Sequence, residues 1–136
     1  MRVVLDTNVI LSAILFGGKP RQIIEAALAG TIRIYASEPI ISELKSVLGR
    51  PKFGLDPQMI ESIVMEFSSL VEWVQPRTQV DVIKEDPSDN QVLDCALEAA
   101  AEYVISGDDH LLQLERCGEI LILNPDSFLR VREKDI

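Results

Sequence analysis

A single histidine, His110, and two cysteines, Cys95 and Cys117, are the only imidazole and thiol donors in this 136-residue chain. The cysteines lie far apart without C-x-x-C spacing. No ligand set for structural zinc exists, and both thiols read as small apolar residues kept reduced in a cytoplasm. Long hydrophobic runs are missing too. Apolar stretches last only a few residues, and Val3-Val4-Leu5 leads straight into Asp6 with no basic segment before it, so a membrane span and a signal peptide are not expected. The expectation is a soluble, unexported, cytoplasmic protein with no membrane contact. Positive charge is scarce as well: 13 Lys and Arg face 22 Asp and Glu, a net charge of -9. Such a charge repels phosphate, whereas an ordinary nucleic-acid binder carries a basic face, so a phosphate ligand would need a local offset from a metal ion or a basic partner.

What is present is a core. Apolar residues make up 47% of the chain, ample for one folded domain over residues 1–136, with no repeat, linker or low-complexity tract. The hydrophobic period switches repeatedly between strand and helix. Strands are expected at 2–6, 32–36, 71–74, 103–105 and 120–123. Helices are expected at 10–16 and 20–29, after a Ser37 cap as far as Leu48, at 57–70, at 87–101, briefly after Asp108, and from Pro125 onward. Gln75 to Glu85 reads as a polar connection. Such alternation predicts a single-domain three-layer α/β/α fold with a five-stranded parallel sheet of order 3-2-1-4-5, in which the switch point lies between strands one and four.

Those two strands end in acids. Asp6 closes Val3-Val4-Leu5, and Asp108 follows Tyr103-Val104-Ile105-Ser106-Gly107. In open parallel sheets ligands bind outside the carboxyl ends of the strands, although an acid at such a junction also serves as an ordinary helix cap. Glu43 lies about 40° outside the helical stripe bounded by Val47 and Leu48. It either reaches a cleft from the rim of the buried face or is simply exposed. Asp89 shares the apolar face of its helix with Val92, Leu93, Ala96 and Ala100, opposite Asp94. An inward carboxylate needs a partner. Asp86-Pro87-Ser88-Asp89 also makes a good helix start, with Asp86 as N-cap and Pro87 at the first helical position; cap and ligand are compatible roles. An all-oxygen carboxylate site suits Mg²⁺ or Mn²⁺, as one ion or two.

Leu5-Asp6-Thr7-Asn8, Glu43, Asp86-Pro87-Ser88-Asp89-Asn90 and Ser106-Gly107-Asp108, in that order across nearly the whole chain, resemble the PIN domain. The D-P-x-D and S-G-D pieces resemble its branch of toxin components from toxin–antitoxin systems. The resemblance implies a ribonuclease that hydrolyses RNA phosphodiesters to 5′-phosphate and 3′-hydroxyl ends. It implies that Asp6, Glu43, Asp89 and Asp108 hold Mg²⁺ or Mn²⁺, that Thr7 or Ser106 sits beside them, and that Asn8 orients the first carboxylate. The chain departs from the pattern at one place. Where the branch often has an acid two residues after the S-G-D aspartate stands His110, preceded by Asp109, so an accessory fifth acid is either Asp109 or absent. A lone histidine on a short helix otherwise reads as packing or capping.

Rival classes fit less well. A haloacid-dehalogenase-type phosphatase needs an acid where Asn8 stands, and a receiver domain needs a lysine where Asn124-Pro125 stands. A noncatalytic PIN-fold module for RNA or protein binding is the closer alternative, and retention of all four acids argues against it. An antitoxin protein is the partner implied. A homodimer through the apolar surface of residues 56–70 is a further expectation, although core packing explains the same residues. Lys19, Arg21, Arg50 and Lys52 are candidate contacts to an RNA backbone.

Overall fold

The structure, a computed structural model, describes residues 1–134. Strand β1 (Arg2–Leu5) runs into α1 (Thr7–Leu15) and α2 (Gly18–Leu28), and β2 (Arg33–Ala36) leads to α3 (Glu38–Leu48). A 3₁₀ turn at Pro51–Phe53 precedes α4 (Pro57–Leu70) and β3 (Glu72–Trp73). After an irregular segment come α5 (Asp89–Ala99), β4 (Tyr103–Ile105), α6 (Asp109–Leu114), β5 (Arg116–Cys117), β6 (Ile120–Leu123) and α7 (Pro125–Lys134). The sheet order is β3-β2-β1-β4-β6-β5. Its five parallel strands stand in the expected 3-2-1-4-5 order, with Ile120–Leu123 in the fifth place.

The sixth strand corrects the expected count. Arg116–Cys117 folds back antiparallel on β6 through a two-residue turn in which Gly118 takes φ 60°, a conformation glycine adopts without steric cost. Two residues are too few to display an alternation, so no periodicity announces them.

Hydrophobic placement explains the layers. Val3, Val4, Leu5, Val104 and Ile105 are all at most 1% exposed, as befits central parallel strands covered on both faces. The chain moves one way along the sheet from β1 to β3 and the other way from β3 to β6, so right-handed crossovers put the intervening helices on opposite faces. Helix α5 crosses β1, β2 and β4, while α1 packs on α2 and α3, and α3 on α4.

Three boundary expectations shift. Helix α1 begins directly after Asp6, three residues earlier than the pattern suggested. Ser37 stands at the cap position of α3 without a side-chain cap bond; its buried hydroxyl sits by the Cys95 thiol instead. Helix α5 is shorter than expected at both ends. Pro87 lies in a tight turn closed by Asp89 N–H to Asp86 O at 3.0 Å, and Ala100 adopts φ 50°, which ends the helix and leaves Ala100 exposed and off the apolar face.

Candidate metal centre

Register builds the site. Leu5 pairs with Ile105 across β1 and β4, so the next residues, Asp6 and Ser106, fall side by side at the carboxyl edge of the sheet, about one strand spacing apart. Ser106 Oγ donates to Asp6 Oδ2 at 2.7 Å, and Asp108 N–H donates to Ser106 Oγ at 2.9 Å. Asp6 occupies the N-cap position of α1 but makes no side-chain cap bond. Asp108 does cap. Its Oδ1 accepts from the backbone N–H groups of His110 (2.7 Å) and Leu111 (3.3 Å), starting α6 and leaving Oδ2 outside the cap.

The other acids arrive from helix starts and faces. Asp89, the first residue of α5, is 5% exposed, and its Oδ2 is buried with no hydrogen-bond partner. Glu43, half-buried on α3, accepts from Thr7 Oγ1 at 3.3 Å, so the rim position is the one the fold adopts. Asp86 caps the turn before α5, its Oδ1 accepting from Ser88 N–H (3.2 Å) and Ser88 Oγ (2.6 Å).

Burial and mutual repulsion act together on these groups. Burial pushes Asp6 up from 3.8 to about 6; the bonds from Ser106 and the Thr7 backbone oppose the rise, and the charges of Asp108 and Glu43 add to it. Asp89 is pushed from 3.8 to about 7, first by burial and then by Asp108, Asp6, Asp86 and Glu43. Glu43 is raised by burial and by Asp86 against the Thr7 bond and the positive charge of Arg50. A buried carboxylate with an unused oxygen among like charges is one that a cation would stabilise. The donors are hard oxygens, the chemistry that Mg²⁺ or Mn²⁺ requires, and Asp89 with Asp108 fits such an ion, whereas Asp6 and Glu43 lie outside the group of ligand atoms that come within 4.8 Å of one another.

Some expected neighbours stand elsewhere. Asn8 is exposed, and the side-chain bond on Asp6 comes from Ser106 instead. Asp109 is exposed at the start of α6. His110 is the residue beside the acids: one imidazole nitrogen and one carboxylate oxygen each from Asp89 and Asp108 lie within 4.8 Å of one another. Of the four cations considered, Lys19 pairs with Asp126, Lys52 lies over the Phe53 ring, Arg21 lines an apolar groove, and Arg50 is the one whose charge reaches Glu43. That groove, about 500 Å³ between α1, α2 and α4, shares no residue with the acids.

A polar row on α5 went unread in the sequence. Asn90, Asp94 and Glu98 recur every fourth residue and grip the connection that precedes the helix. Asn90 Oδ1 accepts from Val82 N–H (3.1 Å) and Ile83 N–H (2.9 Å), and its Nδ2 donates to Ile83 O (2.9 Å) and Pro87 O (3.2 Å). Asp94 accepts from Val80 N–H at 2.7 Å, and Glu98 from Arg77 N–H at 3.0 Å. The i, i+4, i+8 spacing was the available signal. Asn90→Ala is expected to destabilise the fold by roughly 3 kcal/mol, because it strands the buried N–H and C=O of Ile83 and the partly buried groups of Val82 and Pro87; urea denaturation measures it, and a loss within about 0.5 kcal/mol would show the row to be incidental.

The fold and site together define an α/β domain with a buried acidic centre at the switch point of its sheet. Residues 2–110 match the PIN domain family, and the chain belongs to it. Members of that family are generally nucleases, typically with divalent metals. A chain in the crystal structure of VapBC2 from Rickettsia felis, bound to a DNA fragment from their promoter, aligns with a TM-score of 0.66. The alignment covers 91% of this chain and 98% of that one at 16% identity, a likeness of fold. No curated protein matches the sequence.

Proposed function

We propose that this protein is a metal-dependent ribonuclease and the toxin of a toxin–antitoxin pair, with Asp6, Asp89 and Asp108 holding Mg²⁺ or Mn²⁺ and Glu43 at the edge of the site. The observation that carries this reading is the unpartnered, buried Oδ2 of Asp89 among the other acids. When bound, the cation supplies activation of water and neutralises charge on the scissile phosphate. The chain's own residues supply position. Ser106 fixes the Asp6 carboxylate, Thr7 restrains Glu43, and the α6 backbone holds Asp108 by one oxygen. Asp86 shapes the turn that presents Asp89, and Arg50 offers a positive contact for an RNA phosphate beside the site.

The toxin reading draws on the sequence pattern and on the fold shared with VapBC2. A basic antitoxin suits a chain of net charge -9, and a cytoplasmic location follows from that role. Among the described residues no helix is long and apolar enough to cross a membrane. Met59 and Met65 are exposed on α4, which is the surface we assign to a homodimer, testable by light scattering.

The direct test is incubation of purified protein with single-stranded RNA. Cleavage with Mg²⁺ or Mn²⁺ that leaves 5′-phosphate ends and stops with chelator is the expected result. Metal binding by calorimetry without cleavage of any RNA offered would instead assign a noncatalytic binding module.

A further inference from the structure

We propose that His110 is a ligand of this centre and that its imidazole makes the site select Mn²⁺ over Mg²⁺. The proposal rests on the reading of the acids as a cation site and goes beyond it in assigning a nitrogen donor. Three observations carry it. The imidazole shares a 4.8 Å volume with carboxylate oxygens of both Asp89 and Asp108. The buried Asp89 Oδ2 has no partner, and a cation at this volume would supply one. Asp108 spends Oδ1 on the backbone of α6, so Oδ2 is its oxygen for an ion.

Local geometry brings the ring to that place. His110 lies two residues after the cap of α6, and its Nδ1 stands 3.6 Å from Asp108 Oδ1, too far for a good hydrogen bond. The side chain is 43% exposed, so the ring can turn toward the acids without disturbing the core. Two helix starts thus meet at one point: Asp89 opens α5, and Asp108 with His110 opens α6.

Ligand chemistry then sets the selectivity. Mg²⁺ binds oxygen donors in a rigid octahedron and parts reluctantly with its waters, so an imidazole adds little to its affinity. First-row transition ions take imidazole readily and exceed Mg²⁺ at mixed nitrogen and oxygen sites. An acid at position 110 would leave a site of oxygens alone. The histidine therefore tilts the same fold toward Mn²⁺.

The test is metal binding by the full-length protein, with Mn²⁺ followed by electron paramagnetic resonance and calorimetry and Mg²⁺ by competition. Wild type is expected to bind Mn²⁺ at least about 10-fold more tightly than Mg²⁺ and to show nitrogen modulation in the spin echo of the bound ion. His110→Ala should lose the modulation and about 10-fold in Mn²⁺ affinity, with Mg²⁺ affinity nearly unchanged. His110→Asp should raise Mg²⁺ affinity and erase the preference. Circular dichroism of both variants without metal should match wild type, since the ring is exposed. Undiminished Mn²⁺ affinity in His110→Ala, or no nitrogen modulation, with binding still abolished by Asp89→Asn, would overturn the histidine ligand and leave the acidic centre standing. Absence of Mn²⁺ binding, or binding indifferent to Asp89→Asn, would overturn both.

Discussion

Asp89→Asn and Asp6→Asn are each expected to lower metal-dependent RNA cleavage by about 10²-fold or more, whereas Asp94→Asn retains activity near that of wild type. Even partners outside the ligand shell of a metal site are worth 10- to 100-fold, so removal of a direct ligand should cost at least that. The contrast within one helix is what makes the experiment informative. Asp89 and Asp94 are the same residue type on the same helix, but Asp89 is buried among acids while Asp94 accepts the Val80 N–H on the far side. Asparagine keeps an acceptor at position 94, so the grip on the preceding segment survives the control substitution. A general effect of lost negative charge would touch both variants alike. Equal activity of wild type and Asp89→Asn, measured as initial rates on single-stranded RNA, would remove the acidic centre from the reaction. Low salt should favour cleavage throughout, because so acidic a chain has few cations with which to neutralise phosphates.

The second expectation concerns stability without metal. Asp6 and Asp89 are held at about 6 and about 7 in the folded protein, above an ordinary value of 3.8. The folded state therefore keeps its protons more tightly than the unfolded chain. The sign follows: metal-free stability is greatest near pH 4, declines as pH rises through about 7, and levels off above. At about 1.4 kcal/mol per pH unit, and allowing for the coupling between the two groups, the loss from pH 4.5 to pH 8 is on the order of 3 to 5 kcal/mol. The exposed Lys19–Asp126 and Arg77–Glu98 pairs act in the opposite sense, but exposure to solvent leaves them small.

Neutralising one member of the cluster should relieve this repulsion. Asp89→Asn is expected to raise the chelator-treated melting temperature at pH 8 by about 5 °C and to flatten its pH profile. Asp6→Asn should act in the same direction, because its amide oxygen can still accept from Ser106. Saturating Mn²⁺ should stabilise wild type and leave Asp89→Asn nearly unmoved. A melting temperature that falls by several degrees in either metal-free variant would make that carboxylate a structural centre instead.

Much of this architecture was legible along the chain, because its signals are local. Alternating strand and helix periods imply a parallel sheet, and right-handed crossovers then leave few orders, of which the observed one was expected. Asp6 and Asp108 could be placed at the ends of β1 and β4, beside the switch point, from position alone, although position left an ordinary helix cap equally open. So could the inward phase of Asp89, since helical geometry depends only on spacing. Arg116–Cys117 escaped because its strand exists only through pairing with β6.

The chemistry within the site was decided by contacts across long stretches of chain. Sequence alone leaves Asp6 equally suited to cap α1; parallel register with β4 sets Ser106 beside it and turns the carboxylate to that hydroxyl. Which oxygen of Asp89 lacks a partner depends on how α5 seats over β1, β2 and β4. His110 and Asp89 stand on separate helices, and only the return of the chain through β4 brings them within 4.8 Å. The row Asn90, Asp94 and Glu98 acquires its role only when the segment before α5 lies down along that face. Periodicity and capping belong to neighbours in sequence, and the sequence by itself determined those; the direction of a carboxylate and the company of a histidine belong to neighbours in space, which only the folded chain supplies.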